Sequence, residues 1–221
     1  NSGETWKVSG KGNAMTGSFS RGDQEVENLE KSIQQLMTFG LICNTSEVKE
    51  HDGDLLVEGS ATEGAMHVAA IKAGITRAQL EQQFTIVKEY PFDSERKMMS
   101  VIVKDHQNKY FAITKGAPDV LLGKCKSILW KNKVQFIDSS IVKNVQEAID
   151  DLASQALRTI AVGYKMISSP SQYIHERDLE KELTLIGLQG IIDPPRPEVK
   201  DAVAECRIAG IRTIMITGDH V

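Results

Sequence analysis

The apolar run Ile214-Met215-Ile216 ends in Thr217, Gly218 and Asp219. A buried parallel strand delivers a carboxylate to the rim of an α/β sheet in this way, and phosphate and metal chemistry is usually done there. Such an acid needs partners: a nucleophile, a second metal-holding acid, a substrate phosphate. Candidate cations are Lys97 and Lys115. Lys115 closes another apolar run and precedes Gly116, so its backbone can approach a ligand closely. Phe92 follows Pro91 at a strand end and is flanked by the polar string DSERK. Phenylalanine defaults to the core, but this flank favours an exposed rim. Ser60 and Glu63 have capping-box spacing, which alone accounts for Glu63, and Thr62 stands beside it. Arg158 opens a strand after a long helix, a common place for a surface arginine.

Several familiar sites are missing. The nearest string to a P-loop, Gly12 to Ser18, lacks the lysine and follows no apolar strand. There is no GxGxxG. The five histidines show neither HExxH nor i, i+4 pairing, which argues against metal ligation by histidine. Asp52-Gly53-Asp54 has the DxD spacing of phosphatases that form an aspartyl-phosphate, but it follows the charged stretch EVKEH and reads as a solvated loop. Asn44-Thr45-Ser46 is a glycosylation sequon by pattern only.

The elements that must position these residues follow from periodicity. Val26, Leu29, Ile33, Leu36, Met37 and Leu41 predict a helix between Asp23 and Asn44. Glu47 to Asp54 reads as a surface loop, Leu55 to Val57 as a short strand, and a helix from Ser60 to about Lys72 stops at Gly74. FTIVKEYPF, MMSVIV and KYFAITKG read as strands, the last two a hairpin; SILW and VQFI form a second hairpin across KNK. Asp138 caps a helix with Ile141, Val145, Ile149, Leu152 and Ala156 on one face. LRTIAVGYKM and LTLIGLQGII are strands around the short helix ERDLEKEL. Three prolines in Asp193-Pro194-Pro195-Arg196-Pro197 make a rigid connector. A helix ending at Gly210 and the strand IRTIMIT would complete a βαβ unit.

The predicted fold class is therefore mixed α/β (α+β). A mainly antiparallel sheet flanked by helices fills residues 1–190, and a fragment of a Rossmann-like domain fills 191–221. With 221 residues, 41% hydrophobic and 25% charged, the composition is that of an ordinary globular chain. The formal charge of −4 and the lack of a basic run argue against a nucleic-acid partner. No apolar stretch is long enough to span a bilayer, so no direct membrane contact is expected. Three scattered cysteines without CxxC spacing fit a reducing compartment. The first residues, NSGETWKVSGKGN, carry no initiator Met and read as the middle of a longer protein.

Taken together and in order, PFDSERKMMSV (91–101), ITKGAPDVLL (113–122), DPPRPEV (193–199) and TGD (217–219) resemble the cytoplasmic part of P-type cation-transporting ATPases. SATE (60–63) and LRTIAV (157–162) fall where that family has matching segments, so the resemblance covers essentially the whole chain. Within the family the likeness is to the calcium-pump-like branch; the His-Pro dipeptide of the heavy-metal branch is missing. The resemblance implies that residues 1–190 are the nucleotide-binding domain and 191–221 part of the phosphorylation domain. It implies ATP and ADP as ligands, with magnesium in the intact parent. It also implies partner phosphorylation, actuator and transmembrane domains, and a place as the cytoplasmic domain of an integral membrane pump. By similarity, Phe92 stacks on adenine, Glu63 accepts from the adenine amino group with Thr62 as second choice, and Lys97, Lys115 and Gly116 line the site. Arg158 reaches the phosphates. Asp193, Arg196, Thr217, Gly218 and Asp219 match the phosphorylation-domain motifs. Ser94 stands where calcium pumps often carry an arginine, a departure that weakens the expected phosphate grip. The family's phosphorylated aspartate lies in a DKTGT string, which this sequence lacks; the stub from Asp193 is expected to be poorly braced. Two other readings stand beside this one: a soluble phosphohydrolase of the haloacid dehalogenase type, and a non-catalytic nucleotide-binding or interaction module.

Overall fold

The computed structural model describes all residues except 1, 2, 11–13, 15, 52, 53, 174, 193–197 and 215–221. Three short strands, β1 (Trp6–Val8), β2 (Phe19–Arg21) and β3 (Gln24–Glu25), form a small antiparallel sheet. Helix α1 runs Lys31–Ile42, so the residues from Asp23 to Glu30 are not helical as the periodicity predicts. Gly22 takes a left-handed turn at φ +61, and the Val26 amide donates to the Phe19 carbonyl, which ties this stretch to β2. From Ile33 onward the predicted apolar face is buried: Ile33, Leu36, Met37 and Leu41 are all core residues.

A second correction concerns residues 47–54. They do not form a loop. Strand β4 (Glu47–His51) pairs antiparallel with β5 (Asp54–Glu58) in continuous register from Glu47↔Glu58 to His51↔Asp54. Backbone ladders do not need apolar side chains on both strands. Here β5 supplies the packing through Leu55, while Lys49 and Glu58 pair across the exposed face at 2.9 Å. Helix α2 (Ala61–Lys72) follows, its end marked by Gly74 at φ +75. Helix α3 (Arg77–Gln83) opens with a capping box between Thr76 and Gln79.

The rest of the chain builds a seven-stranded sheet. Its strands are β6 (Phe84–Asp93), β7 (Met98–Asp105), β8 (Tyr110–Gly116), β9 (Cys125–Trp130), β10 (Lys133–Phe136), β11 (Arg158–Ile167) and β12 (Leu183–Ile191). Their spatial order is β10-β9-β12-β11-β8-β7-β6, antiparallel throughout except for the β12–β9 pair. The β9–β10 turn places Lys131 and Asn132 at φ 45 and 61, the primed geometry that suits the twist of a tight hairpin.

Alternation along β7 divides the sheet into two faces. Met99, Val101 and Val103 join the core with α1 and α2. Met98 and Ile102 turn the other way, toward clusters built around α4 (Pro118–Leu122), α5 (Ser139–Ser154) and α6 (Glu176–Leu179). Helix α5 starts at Asp138, whose carboxylate accepts from the Ile141 amide at 2.8 Å. Val145 is buried, with Ile141 and Ile149 against the same cluster; Ala156 lies beyond the helix at φ 56.

The chain is thus a mixed α/β fold with a mostly antiparallel seven-stranded sheet between helical layers. After β12 comes α7 (Val199–Ile208), which buries none of its residues. Residues 211–214 take no strand conformation. Asp193, Arg196, Thr217, Gly218 and Asp219 lie outside the described residues, as do the last three residues, 215–217, of the expected closing strand.

Candidate functional site

The pairing register brings the ends of four strands to one rim. Asp93 of β6 pairs with Met98 of β7, Met98 pairs with Gly116 of β8, and Gly116 pairs with Ala161 of β11. Phe92 precedes Asp93, Lys97 precedes Met98, Lys115 precedes Gly116, and Arg158 opens β11. Strand β12 also ends here, at Ile191 opposite Arg158.

Glu63 reaches the rim from the first turn of α2. The expected capping box is not formed, because the Ser60 side chain makes no cap hydrogen bond. The Glu63 carboxylate turns to the sheet instead. One oxygen accepts from Lys115 Nζ; the other accepts from the Thr45 amide at 3.1 Å and the Thr45 hydroxyl at 2.6 Å. Both side chains are largely withdrawn from water, with 13% of Glu63 and 7% of Lys115 exposed. A buried carboxylate gains more from a cation and two donors than from one backbone amide. Burial alone would raise the Glu63 carboxyl, but the hydrogen bonds from Lys115 and Thr45 outweigh it and hold it below the ordinary 4.5. Asn44 completes the fixture: its Nδ2 donates to the Glu63 carbonyl at 2.8 Å, and its Oδ1 accepts from Ser46.

Close under Lys115 lies Cys43, fully buried, its thiol pushed up to about 12 by that burial. A thiol so protonated is no nucleophile. Gly116 is required by contact: a Cβ there would meet the Lys97 carbonyl oxygen at 2.4 Å and Met98 Cγ at 2.6 Å. The Lys97 carbonyl accepts from the Ala117 amide at 3.0 Å, while Lys97 sits in the left-handed region at φ 54 with its side chain exposed.

Thr62 and Arg158 meet directly, Arg158 Nη1 donating to Thr62 Oγ1 at 3.2 Å. The Phe92 ring is 62% exposed, so it is not a core phenylalanine. It lines an open cavity of about 470 Å³ with Tyr90, Arg96, Glu176 and Arg177, and neither Glu63 nor Lys115 borders that cavity. The rim therefore combines an exposed aromatic face, an anchored carboxylate–ammonium pair and two exposed cations.

The P-type ATPase cytoplasmic domain N family matches residues 32–198. The chain belongs to that family. As an N domain of a P-type ATPase it has relatives across bacteria. It is 45% identical over 220 residues to the Calcium-transporting ATPase of Bacillus subtilis (strain 168), a match covering 99% of this chain and 25% of the relative. It is 38% identical over 194 residues to Calcium-transporting ATPase 1 of Bacillus cereus, covering 87% and 21%. It is 34% identical over 226 residues to the Cation-transporting ATPase pma1 of Synechocystis, covering 99% and 24%. The N-domain chain thus spans about a quarter of the length of these relatives. Among the described residues no helix is long and apolar enough to cross a membrane.

Sequence reasoning missed Thr45, Arg96 and Glu180. Thr45 is visible only as the centre of a sequon, and its partner Glu63 lies 18 residues away. Arg96 bonds Glu180 across 84 residues. No local spacing signals either contact.

Proposed function

We propose that this N domain binds ATP and ADP at the rim formed by Phe92, Glu63, Lys115, Lys97 and Arg158. The observation that carries the reading is an exposed aromatic ring at the same sheet edge as a fixed carboxylate. Glu63 uses three of its roughly four acceptor positions on Lys115 and Thr45. One remains for an exocyclic amino group. The adenine ring stacks on Phe92, Lys115 and Gly116 form the floor with Thr62 beside them, and Lys97 and Arg158 face the triphosphate. A carboxylate acceptor favours adenine, which presents an amino group, over guanine, which presents a carbonyl at the same place.

In the parent protein the nucleotide's γ-phosphoryl group goes to an aspartate that this chain does not carry, with ADP leaving. Magnesium assists by neutralising phosphate charge. Residues 1–190 are the nucleotide-binding unit, and 191–221, with Asp193, Arg196, Thr217, Gly218 and Asp219, belong to the phosphorylation unit. The names of the two Bacillus relatives support calcium as the transported ion. The remaining phosphorylation, actuator and transmembrane domains are the partners.

Titration of the chain with ATP, ADP and AMP, followed by NMR or calorimetry, tests the reading. Stacking and a few exposed charges supply about 4–8 kcal/mol, which is roughly millimolar to micromolar affinity. AMP is expected to bind comparably to ATP, because adenine leads. Tight triphosphate binding without AMP binding overturns an adenine-led site.

A further inference from the structure

We propose that Arg96, anchored by buried Glu180, is the positioning residue that sets the Phe92 ring for stacking. The inference rests on the nucleotide reading of the rim. Its starting point is a break in the sheet. Tyr90 pairs with Ser100 and Asp93 with Met98, so Pro91 and Phe92 together face one residue of β7. In such a bulge the ladder is disrupted and its extra residue is left unpaired. Proline adds no amide donor. The Phe92 side chain projects into solvent, 62% exposed, and is not held by a surrounding core.

Arg96 supplies the missing restraint. Its Nη2 donates to the Pro91 carbonyl at 2.7 Å, one residue before Phe92. Its Nη1 donates to Glu180 Oε1. Glu180 is itself fixed. Its side chain is 2% exposed, and the same Oε1 accepts from Ser100 Oγ at 2.6 Å. Ser100 Oγ in turn lies 2.9 Å from Thr114 Oγ1, which links β7 to β8. On the other side of Phe92, Asp93 Oδ1 accepts from the amides of Glu95 and Arg96 at 3.0 and 2.8 Å, and the Asp93 carbonyl accepts from Lys97. The two residues flanking the ring are thereby tied to the interior of the sheet, one through the guanidinium and one through the turn that carries it. Arginine holds two acceptors on separate nitrogens of one rigid plane, a fixed geometry that the single rotatable ammonium of lysine does not reproduce. Preorganising an exposed ring in this way lowers the ordering cost of binding.

A double-mutant cycle tests the assignment. ATP and AMP are titrated by NMR into the wild-type chain, Arg96→Lys, Phe92→Ala and the double variant, with thermal melts confirming that each is folded. Arg96→Lys is expected to weaken ATP and AMP by the same factor, roughly three- to tenfold. In the Phe92→Ala background the same change is expected to alter affinity less than about twofold, because two residues acting through one contact are not additive. Glu180→Gln, isosteric with the native side chain, is expected to repeat the pattern and carries the test should Arg96→Lys fold poorly. Unchanged affinity in Arg96→Lys, or an equal loss in both backgrounds, overturns the positioning role while leaving the nucleotide site intact. No binding of ATP or AMP by the wild-type chain overturns both.

Discussion

Glu63 and Glu180 are two acids withdrawn from water with opposite electrostatic fates. Burial acts on both. In Glu63 the hydrogen bonds from Lys115 and Thr45 win and the carboxyl lies below 4.5. In Glu180 burial wins over the Ser100 hydrogen bond and the Arg96 charge, and the carboxyl lies above 4.5. Their contributions to stability therefore have opposite signs. Below pH 4.5 the unfolded chain takes up the Glu63 proton more readily than the folded chain, so the stability Glu63 provides is present above 4.5 and is lost as pH falls through its folded value. Above pH 4.5 the unfolded chain releases the Glu180 proton first, so that term weakens the fold as pH rises. Urea midpoints on either side of pH 4.5 check this: Glu63→Gln is expected to flatten the acid loss, and Glu180→Gln to remove the decline above it. Phe92 gives a sharper contrast. Its ring is 62% exposed, so Phe92→Ala is expected to leave the ligand-free melting temperature nearly unchanged. It should remove about 1–3 kcal/mol of nucleotide binding, the usual worth of a base stack. A core ring would instead cost roughly 3–5 kcal/mol of stability. Melts with and without ATP separate the two outcomes.

At the scale of elements, the site depends on how tightly β8 passes the turn before β7. The Gly116 Cβ position is 2.4 Å from the Lys97 carbonyl oxygen, a backbone atom with no rotamer in which to retreat. Gly116→Ala is expected to cost about 1–3 kcal/mol in urea denaturation, as overpacking usually does. It should also weaken nucleotide binding by displacing the Lys97 turn. Much of this level was legible in advance. Alternation marked β6, β7 and β8, the KNK turn marked the β9–β10 hairpin, and Asp138 marked the start of α5. The errors have physical causes. Strand β4 is charged along its length and takes its conformation from β5, which no window on its own residues can register. Helix α1 starts later than the periodicity suggests, because Val26 and Leu29 fall by chance on its helical period while Val26 is tied to a hairpin. Glu63 matched a local cap but found stronger partners in Thr45 and Lys115. Motif resemblance pointed to residues that the sheet gathers at one rim, but the supports of that rim, Thr45 and the Arg96–Glu180 pair, join segments far apart in the chain.

For the whole molecule, binding and turnover should come apart. Transfer to an aspartate, the step proposed for the parent, needs that carboxylate in place, and the sequence contains no DKTGT string. Incubation with γ-labelled ATP and magnesium is expected to leave no acid-stable label on this chain. Label that survives acid and is lost in hydroxylamine would mean that a nucleophilic carboxylate exists within these 221 residues. The order of strands carries a further consequence, for how the chain is made. Strand β12 is the last of the sheet to leave a ribosome, yet it lies between β9 and β11. Among the described residues the β9–β10 hairpin is bonded to the other strands of the sheet only through it. Until residue 191 emerges, the nascent chain holds two separate pieces of sheet with open edges facing each other, and open edges invite pairing with other chains. The final closure joins segments far apart in sequence, the slow kind of step in folding. A chain ending before Leu183 should therefore aggregate during expression while one ending after Ile191 stays in solution, although the residues between them include none of the groups proposed to touch nucleotide.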